Sequence, residues 1–353
     1  MRPRLSLFLL IVLLPASLQV SAQVKFKLDR PASLFSRCDT VSVFIIGDVM
    51  MHKRQLEYDC EYFLHYIEPA MQEADICVAN MEFALGGRPY TGYPAFSAPD
   101  YYADYLARCG TDVFLLANNH ILDKRTAGLR RSLDVYSGLK EKYGVQYTGV
   151  GAEPLVLRRR GVKIAFVNFT YGTNMPPTEK EPDVLRMNDA DVSDCVGKAK
   201  ASGADFIVAL PHWGEEYVLR HVQWQEIWAR KLVELGCDAI VGAHPHVAQD
   251  TLHVKGVPVI FSLGNAVSNM SAVNTRLELA VTLRFVHNRY SDEKYMLEPQ
   301  LDWMWCTLPG KLTSSYATIF VKDWEGRRNE WLDPSDYDNM IATLKRATLN
   351  NPY

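Results

Sequence analysis

A layered α/β domain is the fold class this 353-residue chain predicts. Two observations carry it. Apolar runs of four to six residues, apolar on both faces and rich in Val, Ile and Phe, recur along the chain, as strands buried on both sides do. Stretches of helical period lie between them, and strands alternating with helices imply helices layered on sheet. A third observation concerns chemistry: each run, usually introduced by Asp, ends within a few residues in Asn, His or an acid.

The runs can be taken in order. Residues 41–46 lead to Gly47-Asp48, and 75–79 lead to Asn80-Met81-Glu82. Residues 112–117 lead to Asn118-Asn119-His120, and 205–210 to Pro211-His212-Trp213-Gly214. The last, 238–242, leads to Ala243-His244-Pro245-His246. Helical period is read over 57–73, 101–108, 127–143, 192–201 and 223–235. Arg158-Arg159-Arg160-Gly161 reads as a solvated hairpin turn before a strand at 162–169. Residues 311–353 read as a last strand, a helix over about 335–349 and a loose end, packed on the same domain.

Composition fixes the class of molecule. The chain is 48% apolar and 22% charged, which excludes a disordered, collagenous, coiled-coil or disulfide-packed miniature protein. With 38 basic and 41 acidic residues the net charge is −3, which argues against a large nucleic-acid footprint. Residues 1–22 have Arg2 and Arg4, an apolar core from Leu5 to Leu14 and the small residues Val20-Ser21-Ala22, as an export signal does. Its removal leaves 36 basic residues against 41 acidic ones, a net of −5. A periplasmic, cell-surface or extracellular protein is therefore expected. The seven cysteines read mostly as buried thiols, with one bridge involving Cys38 or Cys60 left open.

Taken singly, the strand ends have bland readings. Asn118-Asn119 suits a turn, and His244-Pro245-His246 suits a loop. Taken together, five strand ends bring Asp, Glu, Asn and several His to the carboxyl edge of a sheet, where α/β folds collect their chemistry. These donor types hold borderline-hard divalent ions, so a centre for two metals (Mn, Zn or Fe) is expected. The spread from Asp48 to His246 favours one domain, over 41–310, after a lead-in at 23–40.

In this order the motifs resemble the CapA family of poly-γ-glutamate capsule synthesis proteins, a branch of the calcineurin-like metallophosphatases. The segment Gly86 to Pro99 and the motif Ser262-Leu263-Gly264-Asn265 add to the resemblance, which covers about residues 40–310. It implies a four-layer α/β/β/α sandwich of the metallo-dependent phosphatase type. It also implies roles. Asp48 would be a terminal ligand, Glu82 a bridging carboxylate, Asn119, His212 and His244 ligands of one metal, and His246 a ligand of the other. His120 would face the substrate as a proton donor or phosphate contact. Asn80, Asn118, Tyr93 and Trp213 are expected at the substrate. Two departures stand out: Met50 occupies the place of a usual ligand His, with His52 as a possible substitute, and Glu82 replaces a usual Asp. The implied function is assembly, export or trimming of an anionic polymer or cell-surface glycan, alongside other capsule-assembly proteins at the membrane. Either metal-dependent hydrolysis or a noncatalytic binding or scaffold role would serve it.

Overall fold

Alternation along the first strand already separates two cores. In β1 (Cys38–Val49), Val41, Val43 and Ile45 point into one apolar cluster, while Phe44 and Ile46 point into another. That is the period of two expected of a strand covered on both faces. The computed structural model describes residues 38–350. The expected export signal (1–22) and the lead-in before residue 38 lie outside the described residues.

After β1 come β2 (Ile76–Met81), β3 (Val113–Leu115), β4 (Gln146–Thr148), β5 (Leu155–Arg159), β6 (Val162–Thr170) and β7 (Phe206–His212). Then follow β8 (Ala239–Val241), β9 (Thr251–Val254), β10 (Val257–Ile260), β11 (Leu277–Asn288), β12 (Lys294–Met296), β13 (Gln300–Thr307) and β14 (Ala317–Phe320). One sheet has the order β14-β13-β11-β1-β2-β3-β4, with β12 on β11; the other is β5-β6-β7-β8-β10-β9. Strands β1 to β4 run parallel, as do β6, β7, β8 and β10.

The two sheets face each other across a core that includes Val43, Val78, Phe166, Val208, Val241 and Phe285. The outer face of the first is covered by α1 (Glu68–Glu73), α2 (Asp100–Cys109) and α3 (Arg125–Tyr143), through Met71, Tyr102, Leu106, Leu129 and Tyr136. The outer face of the second is covered by α4 (Asp189–Ala201) and α5 (Gln223–Leu235), through Val192, Val196, Ala229 and Leu232. The result is the four-layer α/β/β/α sandwich. A last helix, α6 (Pro334–Asn350), packs Met340 with Leu277, Trp305 and Ile319. Among the described residues, no helix is long and apolar enough to cross a membrane.

The aspartates that introduce the strands have a shared task. Asp75 accepts the amide of Ser42 (2.9 Å), and Asp112 that of Cys77 (2.7 Å). Asp205 accepts the amide of Lys163 (2.7 Å), and Asp238 that of Ile207 (2.8 Å). Each carboxylate thus ties the start of its own strand to the parallel neighbour that precedes it in the chain.

Two expectations are corrected. Only Glu68–Glu73 of the stretch 57–73 is α-helix; Lys53–Glu57 and Cys60–Tyr62 are short 3₁₀ turns. Cys60, Phe63, Leu64, Ile67 and Met71 are all buried, so the apolar spacing is real. Pro69, which lacks an amide hydrogen, stands in the first turn of α1, where a helix accepts it. Arg160 does sit in the hairpin turn between β5 and β6, but it is not solvated: it donates to Asp75 Oδ1 (2.5 Å) and to the Thr40 carbonyl (2.6 Å). Among the described residues none of the seven cysteines, six of them buried, forms a disulfide, Cys38 and Cys60 included.

Candidate metal centre

The parallel strands deliver their polar ends to one place. Asp48 ends β1, Asn80 lies in β2 with Glu82 just after it, and His212 ends β7. Asn119 and His120 stand in the turn between β3 and α3, and His244 and His246 follow β8. All eight side chains are buried. Close backbone approach makes this possible. A Cβ on Gly47 would stand 2.0 Å from the Gly264 carbonyl oxygen, which accepts the Asp48 amide at 2.9 Å.

Three overlapping sets of ligand-type atoms result, each with all members within 4.8 Å of one another: Glu82, His212 and His244; Asp48, Glu82 and His246; and Glu216, His244 and His246. Asn119 Oδ1 joins the first at 2.9 Å from His212 Nε2. Asn80 Nδ2 donates to Asp48 Oδ1 at 2.6 Å, and the other Asp48 oxygen accepts the His244 amide at 3.1 Å. Asn265 Nδ2 donates to the carbonyls of His246 (3.3 Å) and Thr275 (2.9 Å), so its Oδ1, 2.9 Å from His246 Nδ1, is the acceptor there. The His246 proton therefore sits on Nδ1, and Nε2 is left with a free lone pair facing Glu82.

The donors fit a divalent cation. Both Glu82 carboxylate oxygens, Asn80 Oδ1 and His244 Nδ1 are buried without a hydrogen-bond partner. Buried polar atoms are seldom left so, and Glu82 and His244 stand together in one of the three sets, as ligands of an ion would. Burial first, and then the neighbouring Asp48, push the Glu82 carboxyl well above the usual range. Burial also holds His212 well below the usual imidazole value and pushes His244 down to about 3, the nearby histidines adding to the effect. Neutral imidazoles and a carboxyl that ionises only beside positive charge are the states a cation selects.

His120 joins none of the three sets. Its Nδ1 is 2.7 Å from Asp123 Oδ2, which also accepts the Phe96 amide at 2.7 Å. The buried Phe96 ring lies edge-on 4.6 Å from His120 and 5.3 Å from His52, so the segment after Glu82 grips the centre through this phenyl group. Tyr93 from the same segment is 75% exposed. Tyr171 lies over His244 at 4.6 Å between centroids, and Tyr217 beside His246 at 5.9 Å.

Some expected residues are placed elsewhere. Trp213 is fully buried in the core under α5, with Nε1 bonded to the Phe261 carbonyl at 2.8 Å, so it is no wall for a substrate. Asn118 is also fully buried, donating to the Met81 carbonyl (2.7 Å) and accepting the His120 amide (3.1 Å); it shapes the turn. Asn80 is buried against Asp48, where it orients that carboxylate instead of meeting substrate. His52 joins none of the three sets; its Nδ1 is 3.3 Å from the Asn269 amide and 3.1 Å from Gln55 Oε1, and burial pushes it down to about 4. Met50 is buried in the core. Asp123, Asn265 and Glu216 were not among the expected site residues. Asp123 follows His120 by three positions, a spacing that could have identified it.

The family model described as bacterial capsule synthesis protein PGA_cap matches residues 42–270. The chain is 28% identical over 259 residues to the capsule biosynthesis protein CapA of Bacillus anthracis, covering 67% of this chain and 62% of that protein. It is 27% identical over 256 residues to the PGA biosynthesis protein CapA of Bacillus subtilis (strain 168), covering 67% and 66% respectively. The match thus spans less than two thirds of either relative. Among solved structures, one titled a novel phosphatase, from Mycoplasma pneumoniae, is similar with a TM-score of 0.44 and 13% identity, over 75% of this chain and 93% of that one.

Proposed function

The chain belongs to the bacterial capsule synthesis protein PGA_cap family, and from that membership we propose that it helps build or trim an extracellular anionic polymer of the poly-γ-glutamate type, as a metal-dependent hydrolase. Relatives named for capsule and PGA biosynthesis support the polymer. The observation that carries the hydrolase is that Glu82 and His244, which hold partnerless buried atoms, belong to overlapping sets of ligand-type side chains with Asp48, His212 and His246. Export through residues 1–22, and work beside other capsule-assembly proteins at the membrane, complete the proposal.

Asp48, Glu82, Asn119, His212, His244 and His246 would hold one or two divalent cations. Such ions supply a Lewis acid and a nucleophile at neutral pH. Asn80 and Asn265 aim Asp48 and His246 through the hydrogen bonds described above. Asp123 accepts a hydrogen bond from His120 Nδ1 and so orients the ring. In the imidazolium form His120 would carry a second proton, on Nε2, and deliver it to the leaving atom of a phosphoester or amide, returning to the neutral ring. Tyr93, Tyr171 and Tyr217 offer exposed faces around the mouth for a chain-like substrate.

A second reading has its own support. Met50 packs in the core and supplies no imidazole, as in a polymer-binding protein that has lost full metallation. Metal content of the purified protein after Mn²⁺ or Zn²⁺ loading separates the two, together with hydrolysis of a generic phosphodiester and of poly-γ-glutamate. At least one ion per chain and a hydrolysis lost in His246→Ala are expected. Less than one ion, with neither substrate cleaved, leaves the binding role. Cleavage of the polymer alone identifies amide chemistry.

A further inference from the structure

Glu216 is an exposed acid on the segment after β7, outside the six ligands considered above, yet one of its carboxylate oxygens shares a 4.8 Å set with ring nitrogens of His244 and His246. Its position is built, not incidental. The Tyr217 amide donates to the Pro245 carbonyl at 2.8 Å, which staples residues 214–217 onto the His244-Pro245-His246 segment. Gly214 turns the chain there with φ 99, and a Cβ on it would crowd Gln225 Nε2 at 2.7 Å and Pro245 Cγ at 3.0 Å.

The backbone on both sides of this contact is strained. His244 (φ 103), His246 (φ 58) and Tyr217 (φ 66) all lie in the left-handed region without being glycine. Such conformations are disfavoured for residues with a Cβ and persist where surrounding structure holds them, typically around functional groups. Three of them frame one carboxylate and two imidazoles.

We propose that Glu216 is a ligand at the mouth of the centre, holding a divalent cation together with His244 and His246. The proposal rests on the metal-centre reading above. The set of Asp48, Glu82 and His246 offers three protein ligands, and Met50 adds no fourth. A carboxylate from the solvent side enlarges the donor count of the ion near His246 and makes its surroundings richer in oxygen. Oxygen-rich sites favour Mn²⁺ or Mg²⁺ over softer ions. Because Glu216 is exposed, its carboxylate is also the ligand a substrate oxygen can most readily replace.

The test is equilibrium dialysis of Mn²⁺ against the full chain, with elemental analysis of bound metal, for the unaltered protein, Glu216→Gln and His212→Ala. Thermal melts of the metal-free proteins establish that each is folded; Glu216→Gln, at an exposed site, is expected to melt with the unaltered protein. The expected result is about tenfold or more weaker binding of one equivalent in Glu216→Gln. Partial recovery is expected in Glu216→Asp, and loss at the opposite set in His212→Ala. Equal affinity and stoichiometry in Glu216→Gln and the unaltered protein, with His212→Ala impaired, overturns the role of Glu216 and leaves the metal centre standing. No binding by the unaltered protein overturns both.

Discussion

The Nε2 atom of His246 lies 3.7 Å from Glu82 Oε1. That separation is too long for a hydrogen bond and close to the spacing of two ligands that each stand about 2.1 Å from one ion. His212 Nε2 is also 3.7 Å from that oxygen, so one carboxylate is shared between imidazoles from two different strand ends. Glu82, one methylene longer than the usual aspartate, reaches both.

Glu82 gives a proton-linkage prediction. Its folded carboxyl titrates well above the unfolded value, so the metal-free protein keeps that proton while the unfolded chain loses it. This stabilising contribution is lost progressively as pH rises above the unfolded value, and cation binding at neutral pH should expel the proton. Calorimetry of Mn²⁺ binding in buffers of different ionisation enthalpy should report release of about one proton per chain. Glu82→Gln should release none and bind far more weakly.

The histidines act at the acid end. His212 and His244 have folded values below the unfolded one, so the unfolded chain takes up protons first as pH falls through about 6.5. Melting temperature of the metal-free protein should therefore drop between about pH 6.5 and 4. In His244→Gln that part of the drop should be smaller. A pH-independent melting curve in this window would sink the assignment of both imidazoles as buried and neutral.

Glu278, in β11, is fully buried and neither of its carboxylate oxygens has a hydrogen-bond partner. Burial, and then the charge of Asp48, raise it well above the usual range. Glu278→Gln should be more stable than the parent by roughly 1–3 kcal/mol at pH 8. The gain should vanish near pH 4, where both states of the parent hold the proton. Denaturant unfolding at the two pH values measures it.

Asp123→Asn should separate proton delivery from metal binding. An amide in place of the carboxylate no longer holds the His120 Nδ1 proton in the same way, while the ligand side chains are untouched. Turnover of whichever substrate is cleaved should fall about 10²-fold or more at unchanged metal content. An equal fall in metal content would make Asp123 a structural support of the centre and nothing more.

Gly47→Ala addresses the approach of β1 to Gly264. With 2.0 Å between the new carbon and a carbonyl oxygen, backbone must move. A loss of about 3 kcal/mol is expected, read by thermal or denaturant unfolding. Metal affinity should fall too, because Asp48 is the next residue. Full stability would show that β1 can shift freely.

Much of this architecture is written locally. Runs such as 205–210 announce buried parallel strands, and β7 and α5 lie where the pattern puts them because strand burial and helix spacing are properties of adjacent residues. The cluster of polar strand ends is legible for the same reason, each member sitting where an apolar run stops. Three kinds of residue escape such a reading. Glu216 is hidden beside Glu215 on an exposed segment, and only the fold of Pro245 against Tyr217 gives it neighbours. Glu278 lies on the antiparallel strand β11, where no strand end marks it, and Asn265 follows β10, an apolar run outside the five read above. Trp213 follows a ligand histidine but points the other way along the strand, into the helix-covered core. Periodicity also misled over 57–73, where an apolar repeat is served by 3₁₀ turns as well as by α-helix.

The aspartate clamps at the amino ends of the strands bear on chemistry they never touch. Asp75, Asp112, Asp205 and Asp238 fasten neighbouring strands at one edge of the sheets, and the polar tips emerge at the other. A slip of one residue would carry a tip about 3.3 Å along its strand and turn it to the opposite face. Ligand distances tolerate only about 0.2 Å. The alignment of the polar tips is thus levelled from the far side of the molecule, so a change at Asp238, remote from the proposed centre, should register as weaker metal affinity before the fold itself gives way.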